Sequence, residues 1–274
     1  MTLLRYGPHP SQHGQLSLPA GSGPWPVAVV VHGGFWRAIY GAEFGTDLAE
    51  DLMRHGVAAW NVEYRRVGND PGSGGGGWPD SCLDVAAALD LLATGGQVAA
   101  GGQLDLSRVV AVGHSAGGQL AGWLAGRVSL AKGVPGASPL VPLTGVVCQA
   151  GVLDLELALR QDLGRGAVRD FMGGGADDPR ARALASPAAR LPLGLPSVCV
   201  HGSADDIVPL SQSESFVAAA RRAGDDSRLV TLPGVDHFAL IDVSTPAWAA
   251  CRAAVLDLLA APAHQNRDLS HGSP

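Results

Sequence analysis

The chain has few of the features that mark disulfide-rich or metal-binding proteins. Its 274 residues include four cysteines, at positions 82, 148, 199 and 251. None of them forms a CxxC pair, and none stands at a metal-binding distance from a histidine along the chain. Two of them, Cys148 and Cys199, lie inside apolar runs, where cysteine is typically a small core residue. We therefore expect neither a disulfide framework nor a metal site.

Charge and long apolar runs are also scarce. Charged residues make up 16% of the chain, and the formal net charge of −6 is not concentrated in any long run. Binding to a nucleic-acid backbone needs clustered positive charge, so we expect no nucleic-acid partner. No segment approaches the roughly 20 apolar residues of a membrane span, and the first residues lack a signal-peptide apolar stretch. We expect no membrane partner and a cytoplasmic location.

What the chain does contain is a regular alternation of two patterns. Short apolar runs, typical of buried strands, occur at 27–31, 57–62, 108–112, 144–149, 197–201 and 228–232. Segments with helical spacing lie between or after them, at 43–55, 81–93, 116–126, 211–223 and 246–260. This alternation predicts an α/β fold with a mostly parallel central sheet and helices on both faces. Functional loops of such sheets gather at the carboxyl ends of the strands.

We expect one domain over residues 1–274, with its core at about 25–260. Residues 152–196 show no clear strand and are predicted to be a small insertion, a lid over the edge of the sheet. Residues 262–274 are predicted to be a flexible tail. The glycine-rich segment 70–77 is a loop, and two interpretations of it stay open: a surface excursion, or a part of the rim of a pocket.

A G-x-S-x-G motif follows the predicted strand at 108–112 and precedes an apolar helix. It comprises residues 113–117, and its serine is Ser115. A serine hydroxyl must project from a sharp strand-to-helix turn to meet both a base and a substrate, and small residues on either side let the helix fold back. Ser115 is therefore the candidate nucleophile. The alternative is an ordinary turn in which Ser115 caps the helix.

The segment HGGFW at 32–36 directly follows the first predicted strand. Glycines at this place let backbone N–H groups approach the oxygen that becomes charged in a tetrahedral intermediate. The predicted donors are the amides of Gly34 and Phe35, joined by that of Ala116 after the nucleophile. A simple glycine turn would be the better interpretation of this segment alone, but the second motif in the expected order favours the oxyanion site.

The order serine, acid, histidine predicts the other two catalytic groups. His237 follows the strand at 228–232 and is the candidate general base. Three carboxylates compete to support it: Asp205 and Asp206 after the strand at 197–201, and Asp236 beside the histidine. We favour Asp205, because Asp206 begins the following turn and a sequence neighbour rarely reaches its own histidine ring. We expect His32 and His114 to brace loops by hydrogen bonding.

Four motifs together resemble those of the α/β-hydrolases over about residues 25–260: HGGFW at 32–36, GHSAGG at 113–118, HGSADDIVP at 201–209 and GVDHF at 234–238. Within that superfamily, HGG followed by an aromatic residue and tryptophan resembles the HGGxW signature of kynurenine formamidases (arylformamidases) and small carboxylesterases. The lipase and hormone-sensitive-lipase branch more often has a third glycine where this chain has Phe35. The resemblance implies cofactor-free cleavage of a short acyl or formyl group.

The predicted function is a serine hydrolase that cleaves carboxylic esters or aryl-formamides of small molecules through an acyl-enzyme. Trp36 and Trp78 are the candidate substrate-binding residues, although large aromatic side chains also form cores. Two other functions remain open. One is a serine peptidase or aminopeptidase-like amidase, and the other is a binding protein that kept the fold without catalysis.

Overall fold

A computed structural model describes residues 1–261, and these residues build one eight-stranded sheet. Its strands, in chain order, are β1 (Thr2–Arg5), β2 (His13–Ser17), β3 (Trp25–Val31), β4 (Ala58–Val62), β5 (Leu104–His114), β6 (Gly145–Gln149), β7 (Ser197–Gly202) and β8 (Ser227–Leu232). Their order in the sheet is β1-β2-β4-β3-β5-β6-β7-β8. The six strands from β4 to β8 in this order are parallel, whereas β2 pairs antiparallel with both β1 and β4.

Helices cover both faces of this sheet. They are α1 (Glu43–Arg54), α2 (Asp80–Asp90), α3 (Gly95–Ala99), α4 (Ala116–Ala125), α5 (Leu155–Arg160), α6 (Ala167–Met172), α7 (Pro179–Ala185), α8 (Ser211–Arg222) and α9 (Pro246–Ala260). Alternate residues of the central strands point to opposite faces, so the strands have no polar side. Val29 packs into the core beneath α2, α4 and α8, whereas Val30 packs beneath α1 and α9. The predicted α/β architecture is confirmed.

The N-terminal hairpin was not predicted from the sequence. The segment before residue 25 is rich in Pro and Gly, which is typical of a surface segment without strands. Instead, β1 and β2 extend the sheet beyond β4. β1 is largely exposed and only four residues long. A strand this short and exposed has no clear alternation of apolar and polar residues from which it could be predicted.

The glycine-rich loop at 70–77 is hydrogen-bonded to the turn of this hairpin. Ser11, in the turn between β1 and β2, donates its hydroxyl hydrogen to the carbonyl of Gly72 at 2.8 Å. The amide of Arg66, just after β4, donates to the carbonyl of Ser73 at 2.9 Å. Of the two interpretations left open, these contacts favour a surface excursion anchored to the N-terminal strands.

Residues 152–196 contain α5, α6 and α7 and lie against the loop that follows β3. Gly164 has a φ of +65°, and a Cβ there would stand 2.7 Å from the Phe35 ring. The carbonyl of Gly164 also accepts a hydrogen bond from Arg37. Only glycine fits this position, because both the backbone conformation and the close aromatic ring exclude a side chain. A lid role for this insertion stays a prediction, and the tail predicted at 262–274 lies outside the described residues.

No helix within residues 1–261 is long and apolar enough to span a bilayer.

Candidate active site

Ser115 occupies a sharp turn between the central strand β5 and helix α4. Its φ is 56° and its ψ is −118°, an uncommon conformation for a residue with a side chain. The turn closes tightly, since a Cβ at Gly117 would run into the carbonyls of Val31 and His32, and one at Gly113 into the carbonyl of Gly117. The amide of Ser115 is fixed by the carbonyl of Gln149 at 2.8 Å. The predicted strand–turn–helix setting of the motif is therefore present.

Ser115 and His237 line the same cavity of about 240 Å³, which also receives Gly33, Gly34 and Phe35. Its remaining wall is mostly apolar and consists of Tyr40, Phe44, Ile207, Phe238 and Ile241, with Arg37 and His114 as polar members. Such a mixture, a largely apolar enclosure with a few convergent polar groups, is typical of small-molecule sites.

A polar cleft of similar size, about 250 Å³, lies between β2, β4 and the start of α1. It is lined by His13, Glu43 and Glu63 among others, but by neither Ser115 nor His237. We therefore place the candidate active site in the apolar cavity.

Asp205 holds the imidazole of His237. The Nδ1–H of His237 donates to Oδ2 of Asp205 at 2.6 Å. The other carboxylate oxygen accepts the amides of Ile207 at 2.9 Å and Val208 at 2.8 Å. The carboxylate is fully buried, and these hydrogen bonds, together with the His201 ring at 3.3 Å from Oδ2, set its orientation.

The charge of Asp205 is stabilised in spite of its burial. Burial alone would raise the pKa of this carboxyl, but hydrogen bonds from His201 and His237 and from the Val208 amide hold the pKa well below its ordinary value. His201 itself is fixed by the Ser213 hydroxyl on its other nitrogen, at 2.8 Å. A permanently ionised Asp205 is suited to fix one tautomer of His237 and to stabilise an imidazolium.

The two competing carboxylates lie elsewhere. Asp206 is exposed, and Asp236 accepts the amides of Phe238 and Ala239, which caps the turn after it. Among the residues described, the carboxylate that contacts the His237 ring is that of Asp205.

The histidines at 114 and 32 brace the site. The Nε2–H of His114 donates to the carbonyl of His237 at 3.0 Å, and the two rings lie 4.4 Å apart. Burial and the nearby His237 charge lower the pKa of His114 to about 3. His32 contacts the carbonyl of Gly33 and the carboxylate of Glu63, and burial and the Arg66 charge lower its pKa to about 3. Both rings hold loops through these contacts, in agreement with their predicted role.

The loop after β3 lies directly beside the serine. A Cβ at Gly33 would stand 3.0 Å from the Ser115 Cβ. Gly34 has a φ of +100° and Phe35 a φ of 50°, which turns the backbone at the cavity wall. Within residues 1–261, no protein acceptor takes a hydrogen bond from the amides of Gly34, Phe35 or Ala116. These three N–H groups remain available, as an oxyanion site requires.

The substrate contacts expected of two tryptophans are not present. Trp36 is completely buried, its indole N–H donates to Gln119 at 3.0 Å, and its ring stacks on Phe171. Trp78 packs edge-on against Trp123. Neither tryptophan lines the cavity, in contrast to the prediction. A buried polar partner and an aromatic stack hold the Trp36 ring inside the fold, and the half-buried Trp78 ring packs against Trp123 instead.

Sequence reasoning missed most of the cavity wall. Tyr40 and Phe44 lie just before and at the start of α1, and Phe44 shares a helical spacing with the buried Leu48 and Leu52. Phe44 is instead 40% exposed at the cavity. The signal that could have found it is position, since the first turn of a helix after a parallel strand faces the functional edge of the sheet.

The described residues include no group of three or more His, Cys, Asp or Glu side chains placed to hold a metal ion. What the cavity does bring together is a strained serine, a histidine with a buried carboxylate behind it, and three available amides. This combination can perform nucleophilic substitution at a carbonyl.

The chain is similar to a known protein family and to several known proteins. The model of the BD-FAE family matches residues 15–219. An Arabidopsis thaliana protein, described as a probable isoprenylcysteine alpha-carbonyl methylesterase ICMEL1, is 25% identical in an alignment 253 residues long that covers 85% of this chain and 49% of that protein. The chain thus spans about half the length of this relative.

Solved structures share the fold. Esterase 2 of Thermogutta terrifontis with bound butyrate has a TM-score of 0.74 at 21% identity, over 94% of this chain and 92% of that chain. The same esterase phosphonylated by sarin has a TM-score of 0.75 at 21% identity, over 94% and 93%. At this level of identity the similarity establishes the fold, which is that of the α/β-hydrolases.

Proposed function

Because this chain belongs to the BD-FAE family, we propose that it hydrolyses carboxylic esters of small molecules through an acyl-enzyme. The observation that carries the proposal is the 2.6 Å hydrogen bond between His237 and the buried Asp205, beside a cavity that His237 and the strained Ser115 both line. A binding protein would have no use for a histidine oriented in this way beside a serine on a strained turn.

In the proposed reaction, His237 accepts the Ser115 proton while the Ser115 oxygen attacks the ester carbonyl. The amides of Gly34, Phe35 and Ala116 donate to the oxyanion. The imidazolium then gives its proton to the leaving alcohol, and the acyl group remains on Ser115. A water molecule, deprotonated by His237, then attacks the acyl carbonyl; the bond between the acyl carbon and the Ser115 oxygen breaks, the imidazolium returns its proton to that oxygen, and the acid is released. Asp205 stays ionised throughout and stabilises the imidazolium.

The names of the relatives support an ester substrate. The Arabidopsis thaliana relative is a probable methylesterase, and the Thermogutta terrifontis structures are of an esterase. The phosphonylated form of that esterase also suggests a direct probe, since a fluorophosphonate reacts with an activated serine.

Aryl-formamides are the second candidate substrate class, and the HGGFW segment at 32–36 is the observation that favours them. We rank them below esters because Trp36, the distinctive residue of that signature, is buried against Phe171 and Gln119 and does not line the cavity.

The test is labelling by a fluorophosphonate, followed by peptide mass spectrometry and by turnover of p-nitrophenyl acetate, N-formyl aromatic amines and short peptides. We expect the label on Ser115 and the fastest turnover with the ester. Ser115→Ala should lose both labelling and turnover, by about a millionfold in kcat. Ser129→Ala, at an exposed serine outside the cavity, is the matched control and should retain both. Full activity of Ser115→Ala would refute the proposal, and faster turnover of peptides would identify a peptidase instead.

A further inference from the structure

One charged side chain on the cavity wall has no role in the proposed reaction. Arg37 follows the loop that carries Gly34 and Phe35, and it lines the same cavity as Ser115. It is the permanent charge of that wall, because His114 stays neutral and the other lining residues, apart from His237, do not ionise near neutral pH.

The guanidinium of Arg37 is positioned but not neutralised. Its Nη2 donates to the carbonyl of Gly164 at 2.6 Å, and its carbon lies 5.9 Å from the centre of the Phe35 ring. These two contacts fix the side chain between the insertion and the aromatic wall. Within residues 1–261, no carboxylate forms an ion pair with it, although most other half-buried arginines of the chain have one, as Arg65 does with Asp84.

An unpaired half-buried cation beside an apolar wall favours a ligand that brings the missing negative charge. A guanidinium has five N–H donors in a planar fork that matches a carboxylate, and one of them is used by the Gly164 carbonyl. The chain as a whole is acidic, with a net charge of −6, so this positive wall is a local feature. Charge complementarity of this kind acts on the choice of substrate.

We propose that Arg37 binds a carboxylate of the substrate, so that the preferred substrates are esters that carry a carboxylate in addition to the ester bond. This inference rests on the proposed ester hydrolysis at Ser115. It goes further by naming the substrate class and the residue that selects it.

The experiment compares anionic esters with neutral ones of the same shape. On the acyl side, p-nitrophenyl hemisuccinate is compared with p-nitrophenyl 4-methylpentanoate, in which an isopropyl group replaces the carboxylate, and the hemiglutarate with the 5-methylhexanoate. On the alcohol side, 4-acetoxybenzoate is compared with 4-isopropylphenyl acetate. The quantity of interest is the ratio of kcat/KM for the anionic ester to that for its neutral partner, in the wild type and in each variant.

We expect Arg37→Met to lower this ratio by about tenfold to hundredfold in at least one series, mainly through KM, because the charged hydrogen bond is lost. Arg37→Lys should recover part of the ratio, since it restores the charge without the fork. Arg165→Met is the matched control: it removes an exposed arginine of the insertion that does not line the cavity, and the ratio should not change. Added salt should reduce the ratio of the wild type.

The outcomes separate this inference from the proposed function. If Arg37→Met slows anionic and neutral esters equally in every series, Arg37 only supports the Gly164 contact and the inference is overturned, while ester hydrolysis stands. If Arg165→Met lowers the ratio as much as Arg37→Met does, a general surface field selects the substrate and the inference is also overturned. If neither kind of ester is hydrolysed, the failure belongs to the proposed function.

Discussion

The role of Asp205 can be tested with a change of one atom. In Asp205→Asn, the amide oxygen can still accept the N–H groups of Ile207 and Val208, which bond one oxygen of the native carboxylate at 2.9 and 2.8 Å. The new NH₂ group then faces Nδ1 of His237, where Oδ2 stood at 2.6 Å. Two donors cannot share this bond, so the imidazole adopts the tautomer with its proton on Nε2. That tautomer cannot take a proton from Ser115.

We therefore expect kcat on p-nitrophenyl acetate to fall by about 10⁴, the size of the same change in other Ser-His-Asp enzymes, with little change in KM. Asp206→Asn is the matched control, because this exposed neighbour has the same charge and should change kcat less than about threefold. Circular dichroism of both variants checks that they fold. The reasoning would be refuted by an Asp205→Asn enzyme with more than a tenth of the wild-type kcat, or by the opposite ranking of the two variants.

Two further predictions concern the loops around the site. Gly164→Ala should lower kcat/KM by at least about tenfold, because its methyl group would displace the Phe35 ring and the amide beside it. Gly166→Ala is the control, because a Cβ there meets no atom within 4 Å. It should only lower the free energy of unfolding, by about 1–2 kcal/mol, through the strain of its positive φ. Equal activity of the two variants would contradict the contact. The pKa values of His32 and His114 lie near 3 in the folded chain and near 6.5 in the unfolded chain. Their contribution to the free energy of unfolding should therefore be fully present above pH 6.5 and should be lost progressively as the pH falls. Urea unfolding at pH 7, 6 and 5 should show a decrease of up to about 1.4 kcal/mol per pH unit for each histidine, and an unchanged slope in His114→Asn would contradict this.

The sequence predicted an element best where a local signal, such as a helix cap, agreed with the spacing of the apolar residues. Helix α9 has its predicted bounds, since Thr245 caps it by accepting the amide of Trp248 and Pro246 starts it. Ser115, Asp205 and His237 could be named because each follows a predicted strand of a parallel sheet, in the order serine, acid, histidine. Their distances and the choice between Asp205 and Asp206 depend on how two loops fold over one edge, which periodicity does not encode.

The cavity wall could not be predicted for a different reason. Phe35 and Trp36 are adjacent aromatic residues, and both have positive φ values of 50° and 55°. Which of them lines the cavity depends on Gln119, 83 residues after Trp36, whose side-chain oxygen accepts the indole N–H of Trp36. Likewise, the position of the Arg37 guanidinium is fixed by its hydrogen bond to the carbonyl of Gly164 in the insertion. Such long-range pairings are decided by tertiary structure and leave no trace in local patterns.

The order of the strands has a consequence for thermal inactivation. Ser115, the proposed nucleophile, follows β5, which has a neighbour on each side and lies near the centre of the sheet. His237, the proposed base, follows β8, the last strand, three of whose six residues are exposed. Outer strands open locally at a lower free energy than central ones. Warming should therefore detach the imidazole while the hydroxyl is still in place. The temperature at which turnover stops would then lie below the melting temperature, and cooling would restore the enzyme.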